Sequence, residues 1–336
     1  MATTFPIAAA PGAEHRGEFR PAATGVAARV VASVVIAAGL VSLPLLTGDV
    51  EDGWIAKASI YAIIGLSINV VTGHAGQLSL GHQGFVGIGA FMAAFVTAAI
   101  GGYLPDPQNP VLPPTSIPTA NFWLGVVAAA GVGAVVALML GLVALRIRGL
   151  YLALITLAFG LTAESTIFGI RSFTGAGAGA PAPRPALFTS EQAYVYLCLG
   201  ILGLFLLVDW RLVRSKGGRA IVALRNDERI ASTLGVNVTA YKLVAFAVAG
   251  FMAGVAGALF AHWNQFVQAA DFVLETALIW ILMAVVGGLG SRAGVVIGSA
   301  FFALFPLLLA RWAGGVSPRS RSATASRCSS RRRRGR

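Results

Sequence analysis

The sequence predicts an all-α fold: a polytopic bundle of membrane-spanning helices carrying short helices in one of its loops. Three observations lead there. Hydrophobic residues make up 57% of the 336 residues and charged residues only 11%, with a mean hydropathy of +0.78. A water-soluble domain carries about a quarter charged residues, so in water this chain would present apolar surface on every side. The 41 glycines supply small residues that let helices approach closely in lipid. Finally, the apolar residues fall in runs of ~20, the length that crosses the hydrocarbon core.

About nine spans are expected, at 28–47, 55–72, 78–101, 122–145, 150–170, 192–213, 241–262, 272–289 and 293–312. Residues 1–27 contain Glu14, His15, Arg16, Glu18 and Arg20 and no apolar core, so they form a polar tail rather than a cleavable signal. Lysine and arginine set the orientation. Arg16, Arg20 and Arg29 place the N-terminus in the cytoplasm, and Asp49, Glu51 and Asp52 place the next loop outside. The proline-rich loop 102–121 follows outside, Arg146 and Arg148 inside, the basic stretch 211–242 inside, Asp271 outside and Arg292 inside. Only loop 171–191, with Arg171 and Arg184 against Glu191 outside, departs mildly from the rule.

The net charge of +12 is concentrated: eight of the 25 basic residues are arginines within the last eighteen positions, and without them 17 basic residues face 13 acidic ones. Nucleic-acid binding is therefore not inferred from the charge. From Ser317 the composition turns abruptly to Ser, Arg and Ala, and nine spans would put this tail outside. Residues 313–336 are expected to carry no fold, either as a basic tail or, the preferred account, as a truncated or out-of-frame replacement of a tenth span. Two cysteines, Cys198 and Cys328, give neither a disulfide framework nor a metal spacing.

The interior loop 214–240 is the most structured by pattern. It parses as one short helix from about Gly218 to Arg225, then Asn226 as an N-cap, with Asp227 and Glu228 in the following first turn. Gly235 suits the stop of the second helix. Ile221, Leu224, Ala231 and Leu234 share an apolar face across both pieces. Helices this short are marginal alone and need a partner surface, from the bundle or from another chain.

The stretch 73–91 is the candidate translocation pathway. Gly73, Gly76, Gly81, Gly84, Gly87 and Gly89 alternate with uncharged polar residues Gln77, Ser79, His82 and Gln83. Broken backbone at membrane depth is tolerated where protein or a watered cavity satisfies it, and transporters place substrate near such breaks. Close packing through small residues is the plain alternative for each glycine, and a structural hydrogen bond for His82. Glu164 is the one carboxylate well inside an expected span, where it either lines the path or bonds a neighbouring helix. Gly287, Gly288, Gly290, Gly294 and Gly298 form a second break, while Gly250, Gly254 and Gly257 are assigned to packing.

Four blocks carry a family resemblance: GHAGQLSLGHQGFVGIGAF at 73–91, LRIRGLYLALITLAFG at 145–160, GRAIVALRNDERIASTLGVNVTAYKLVAFAVAG at 218–250 and VVGGLGSRAGVVIGS at 285–299. In this order they resemble the LivM-type permease subunits of branched-chain amino-acid ABC importers, over roughly residues 55–310. The loop is similar to the coupling signature acid-Ala-Ala, three residues, Gly, here with the acid displaced to Glu228. The resemblance implies that Gly218, Arg225, Asn226, Asp227, Glu228, Ala231 and Gly235 couple to a separate ATPase. It also implies a second homologous permease, a periplasmic or lipid-anchored solute-binding protein, and residence in the bacterial inner membrane among lipid. No catalytic, metal or cofactor site of the chain's own is expected: its only lysines, Lys57, Lys216 and Lys242, lack the Gly-Lys-Ser/Thr setting that holds nucleotide phosphate. The alternatives are a urea or short-amide permease of the same class, and a stand-alone ion-coupled carrier or channel.

Overall fold

Apolar runs this long fold as helices because lipid offers backbone amides no partner, so each must be satisfied within its own segment. The computed structural model describes residues 49–103, 113–144, 147, 149–170, 174, 179–226, 228–233 and 235–314. The tail 1–27, the first expected span and the chain beyond Gly314 lie outside the described residues. The helices are α1 (Asp49–Ile68), α2 (His82–Gly101), α3 (Thr119–Ala144), α4 (Leu150–Ser165), α5 (Glu191–Arg214), α6 (Lys216–Asn226), α7 (Glu228–Thr233), α8 (Val238–Asn264), α9 (Leu274–Gly287) and α10 (Arg292–Gly314). Among the described residues, seven segments, built on α1, α2, α3, α4, α5, α8 and α10, are long and apolar enough to span a membrane. The run expected at 272–289 is instead the 14-residue α9, about 21 Å long and short of a ~30 Å hydrocarbon core.

Caps set several boundaries. Ser190 accepts from the Ala193 amide at the start of α5, and Asn237 does the same for Ala240 at the start of α8. Arg211 and Arg214 sit in the last turn of α5, where the helix dipole favours cations. α1 continues into a π-helical turn, Asn69–His74, a wider winding that is frequent at functional sites.

α8 is the hub: α1, α2 and α3 all pack on it, α5 and α10 pack on α1, α9 on α10, and α4 rests on α2. The close approach to α8 is made through glycine. A Cβ on Gly257 would lie 2.0 Å from the Val86 carbonyl, and one on Gly254 2.3 Å from the Ala129 carbonyl, so the packing role expected of these residues is the role they play. The peripheral faces of α3, α4, α9 and α10 leave Val127, Met139, Tyr151, Val286 and Ile297 exposed, as a lipid-facing surface requires.

One end of the bundle is knitted by two short ladders. Ser116–Ile117 pairs in parallel with Arg184–Pro185, and Ala180–Pro181 pairs antiparallel with Phe266–Val267. These pairings bring the loops before α3, before α5 and after α8 to the same end, as strict alternation demands. α6 and α7 lie at the other end.

Candidate coupling and translocation site

The loop between α5 and α8 folds back immediately. The Ser215 hydroxyl accepts from the Gly218 amide at 2.9 Å, and Gly218 is so closely packed that a Cβ would fall 1.9 Å from the Leu212 carbonyl. Gly218 therefore forms the elbow between α5 and α6. Arg225 and Asn226 close α6, so Asn226 is the last residue of a helix and not the N-cap of the next: α6 runs one residue further than the pattern suggested. Asp227 and Leu234 lie outside the described residues, as do the side chains of Asn226 and Glu228. Gly235 stops α7 at φ +79°. The Val236 amide reaches the Ala231 carbonyl and the Gly235 amide the Ser232 carbonyl, each at 3.1 Å, the pairing of a glycine-closed helix end.

The apolar face finds its partner within the chain. Ile221, Leu224 and Ala231 are each 2% exposed, with Ile221 packed among Ala75, Ala245 and Tyr241. Arg219, Arg225, Ile230, Ser232 and Thr233 are exposed. Ile230 is 61% exposed, an apolar side chain presented beyond the bundle.

Residues 75–81 are not helical. Gly76, at φ +67°, lets the chain reverse after the π turn. The Gln77 amide bonds the Val71 carbonyl at 3.0 Å and the Leu80 amide bonds Thr156 Oγ1 at 2.9 Å. Gln77, Ser79, His82 and Gln83 are all buried. The His82 ring lies edge-on to Phe85 at 5.7 Å and against the backbone of Ser67 and Ser79. Ser79 Oγ and both amide atoms of Gln83 have no hydrogen-bond partner among the described residues. The Gln83 amide sits where a side chain on Gly160 would collide, 2.3 Å from its Cβ position.

Thr156, Gly160 and Glu164 follow at spacings of four on α4, and so share one face. Glu164 is thus in line with the broken segment, but two turns further towards the ladder end. One of its carboxylate oxygens is buried and without a partner among the described residues. It borders a cavity of about 490 Å³ lined by Leu161, Ser165, Ala269, Ala270 and Val273. The structure thus gathers Gln77, Ser79, His82 and Gln83 on one stretch and leaves Glu164 apart from them. Beside that cavity, burial raises the Asp271 carboxyl against the opposing pull of the Gln268 amide and Lys57.

A polar cluster joins the two halves of the site at the α6–α7 end. Arg225 Nη1 donates to the Gly73 carbonyl at 2.7 Å. Asn69 Oδ1 accepts from the Gly290 amide at 2.6 Å. His74 Nε2 lies 3.1 Å from Asp209 Oδ1, and the other Asp209 oxygen accepts from Arg292 Nε. The Asp209 side chain has no exposed surface.

With this geometry in place, comparison with known proteins decides the family. The profile described as the branched-chain amino acid transport system / permease component matches residues 52–321. The chain belongs to this permease family. It is 32% identical over 268 residues to the high-affinity branched-chain amino acid transport system permease protein LivM of Salmonella typhimurium, and 31% identical over 268 residues to its Escherichia coli counterpart. Each match covers 71% of this chain and 59% of the relative, so the chain spans little more than half the length of these proteins. A probable permease protein LivH of Methanocaldococcus jannaschii is 27% identical over 161 residues, 48% of this chain and 47% of that one. No solved structure matches the chain.

Every candidate residue falls inside the stretch shared with the permease family. Sequence reasoning missed Asn69, His74, Asp209 and Arg292. Each stands near an expected span end, where a polar residue reads as an ordinary interface residue. The signal available was the pairing of opposite charges, Asp209 and Arg292, at helix ends expected on the same side of the membrane.

Proposed function

We propose that the chain is the translocation subunit of an ABC importer for branched-chain or other hydrophobic amino acids, multi-pass in the bacterial inner membrane with α6 and α7 in the cytoplasm. A separate ATPase subunit binds the ATP, a second homologous permease completes the pathway, and a solute-binding protein delivers solute at the ladder end. The observation that carries this reading is the two-faced α6–α7 unit. One face is buried on the bundle, while the other presents Ile230 and a glycine-closed helix end to a partner. Arg211, Arg214, Lys216, Arg219, Arg225 and Arg292 gather at this end, as the positive-inside rule asks of a cytoplasmic face. Ser79, His82, Gln83 and Glu164 are assigned to the pathway on their unpartnered buried atoms among the described residues, and Gln77 on the broken backbone it belongs to.

The test is co-expression with the neighbouring ATPase and permease, followed by co-purification and uptake into vesicles. The intact chain retains the ATPase and supports leucine uptake. An alanine block at 227–231 loses the ATPase, and Gly235→Trp abolishes uptake with insertion intact. A chain that carries solute alone, indifferent to both changes, is a carrier or channel and sinks the proposal. Uptake of urea in place of leucine moves the chain to the short-amide branch.

A further inference from the structure

We propose that Arg225 is the positioning residue through which α6 moves the translocation pathway, and that Asp209, with His74 and Arg292, is the latch holding that pathway's α6-side end closed. The inference rests on the coupling reading above and names how the coupling is transmitted.

Among the described residues, one carbonyl of the π turn takes no backbone partner. Around the π turn, the Ala75 amide goes to the Val70 carbonyl and the Gln77 amide to the Val71 carbonyl. The Gly73 carbonyl receives Arg225 instead, at 2.7 Å. A charge-assisted hydrogen bond is about twice as strong as a neutral one, so this is a firm hold on the backbone itself. The slot is shaped for it. A Cβ on Gly76 would lie 3.0 Å from Arg225 Cγ, and one on Gly290 3.0 Å from Arg225 Nη1. Three glycines therefore surround one arginine, and Gly73 is two residues from the start of the non-helical segment that leads to Gln77, Ser79 and Gln83. Displacing α6 pulls on that segment directly.

The second hold comes from α5, the helix that feeds α6. His74 Nε2 lies 3.1 Å from one Asp209 oxygen, within hydrogen-bond reach. Arg292, the first residue of α10, donates to the other oxygen. Asn69 closes the ring by accepting from Gly290 in the α9–α10 turn. One carboxylate, buried by the bundle, thus holds both the π turn and the α9–α10 turn. Such a pair is costly to leave half-made, which gives it two discrete arrangements rather than a continuum.

The experiment uses the full importer in proteoliposomes and reads uptake, ATP hydrolysis and ATPase retention together. Arg225→Met is expected to retain the ATPase and its hydrolysis, while uptake per ATP falls about tenfold or more, the scale of one lost charge-assisted hydrogen bond. Arg225→Lys, which restores one donor, recovers part of it. Asp209→Asn is expected to raise hydrolysis in the absence of solute-binding protein, because the resting state is no longer latched. Unchanged uptake per ATP in Arg225→Met overturns the transmission role, and unchanged basal hydrolysis in Asp209→Asn overturns the latch. Loss of the ATPase in Arg225→Met also overturns the inference, since it would make Arg225 a docking residue. A parental chain that retains no ATPase defeats the importer reading itself, a result separable from all of these.

Discussion

Gly257→Ala tests whether the bundle is held by backbone approach at α8. The added methyl would lie 2.0 Å from the Val86 carbonyl oxygen and 2.8 Å from the Ala90 amide nitrogen, both backbone atoms of α2 that cannot rotate away. Restoring ordinary contact moves the two helices apart by about 1 Å along much of their shared face, since close-packed interiors transmit strain rather than absorb it. Overpacking of this kind costs about 1–3 kcal/mol, a loss of several degrees at roughly 2–4 °C per kcal/mol. The control is Gly203→Ala on α5, where a Cβ meets nothing within 4 Å and the effect should be neutral or a gain of up to about 1 kcal/mol, the helix preference of Ala over Gly. The assay is the thermal loss of monodisperse protein in detergent, both variants beside the parent. Equal melting of the two variants refutes the claim that Gly254 and Gly257 set the helix spacing.

Two further variants separate structure from transport. Gln83→Leu removes a buried amide that has no partner among the described residues, so thermal stability is retained or raised by ~1 kcal/mol while uptake falls; unchanged uptake would remove Gln83 from the pathway. Arg184→Ala strips a buried guanidinium that pairs with Glu191 at 2.8 Å, donates to the Trp263 carbonyl at 3.2 Å and lies over the Tyr194 ring. Its loss should cost about 3 kcal/mol, read as a lower melting temperature, and a variant that melts with the parent shows that the ladder end is held by the β pairs alone.

Most of the fold was legible because it follows from hydropathy, which is local. The described spans lie close to where apolar runs of adequate length stand, and the basic residues from Arg211 to Arg225 lie with Arg292 at one end of the bundle. The exception is α9. Its run passes the composition test, but the helix starts only after the 3-10 turn Ala269–Phe272 and ends at Gly287, ahead of Gly288 and Gly290 at φ +96° and +90°. The glycine break at its end was legible, whereas the turn that trims its start was not. The broken segment was legible for the opposite reason, since glycine and uncharged polar residues together have few uses at membrane depth. The charged cluster was not, because Asn69, His74, Asp209, Arg225 and Arg292 are brought together by the tertiary fold from positions up to 223 residues apart.

The coupling loop shows where amphipathic pattern alone stops. Ile221, Leu224 and Ala231 announce a face that must be covered, and the sequence leaves two partners open, the bundle or another chain. The structure assigns that face to the bundle. Under the proposed coupling this reverses the intuitive assignment of roles: the apolar stripe is the anchor, and the exposed face, with Ile230 as its apolar element, is the one offered to the ATPase. Arg225 is exposed as a residue, yet its Nη1 donates to the Gly73 carbonyl. A lever needs one end fixed to what it moves and one end free to be pushed, and the proposal gives α6–α7 both. Variants at Ile230 should therefore weaken assembly, whereas variants at Arg225 should leave assembly intact and spoil transport.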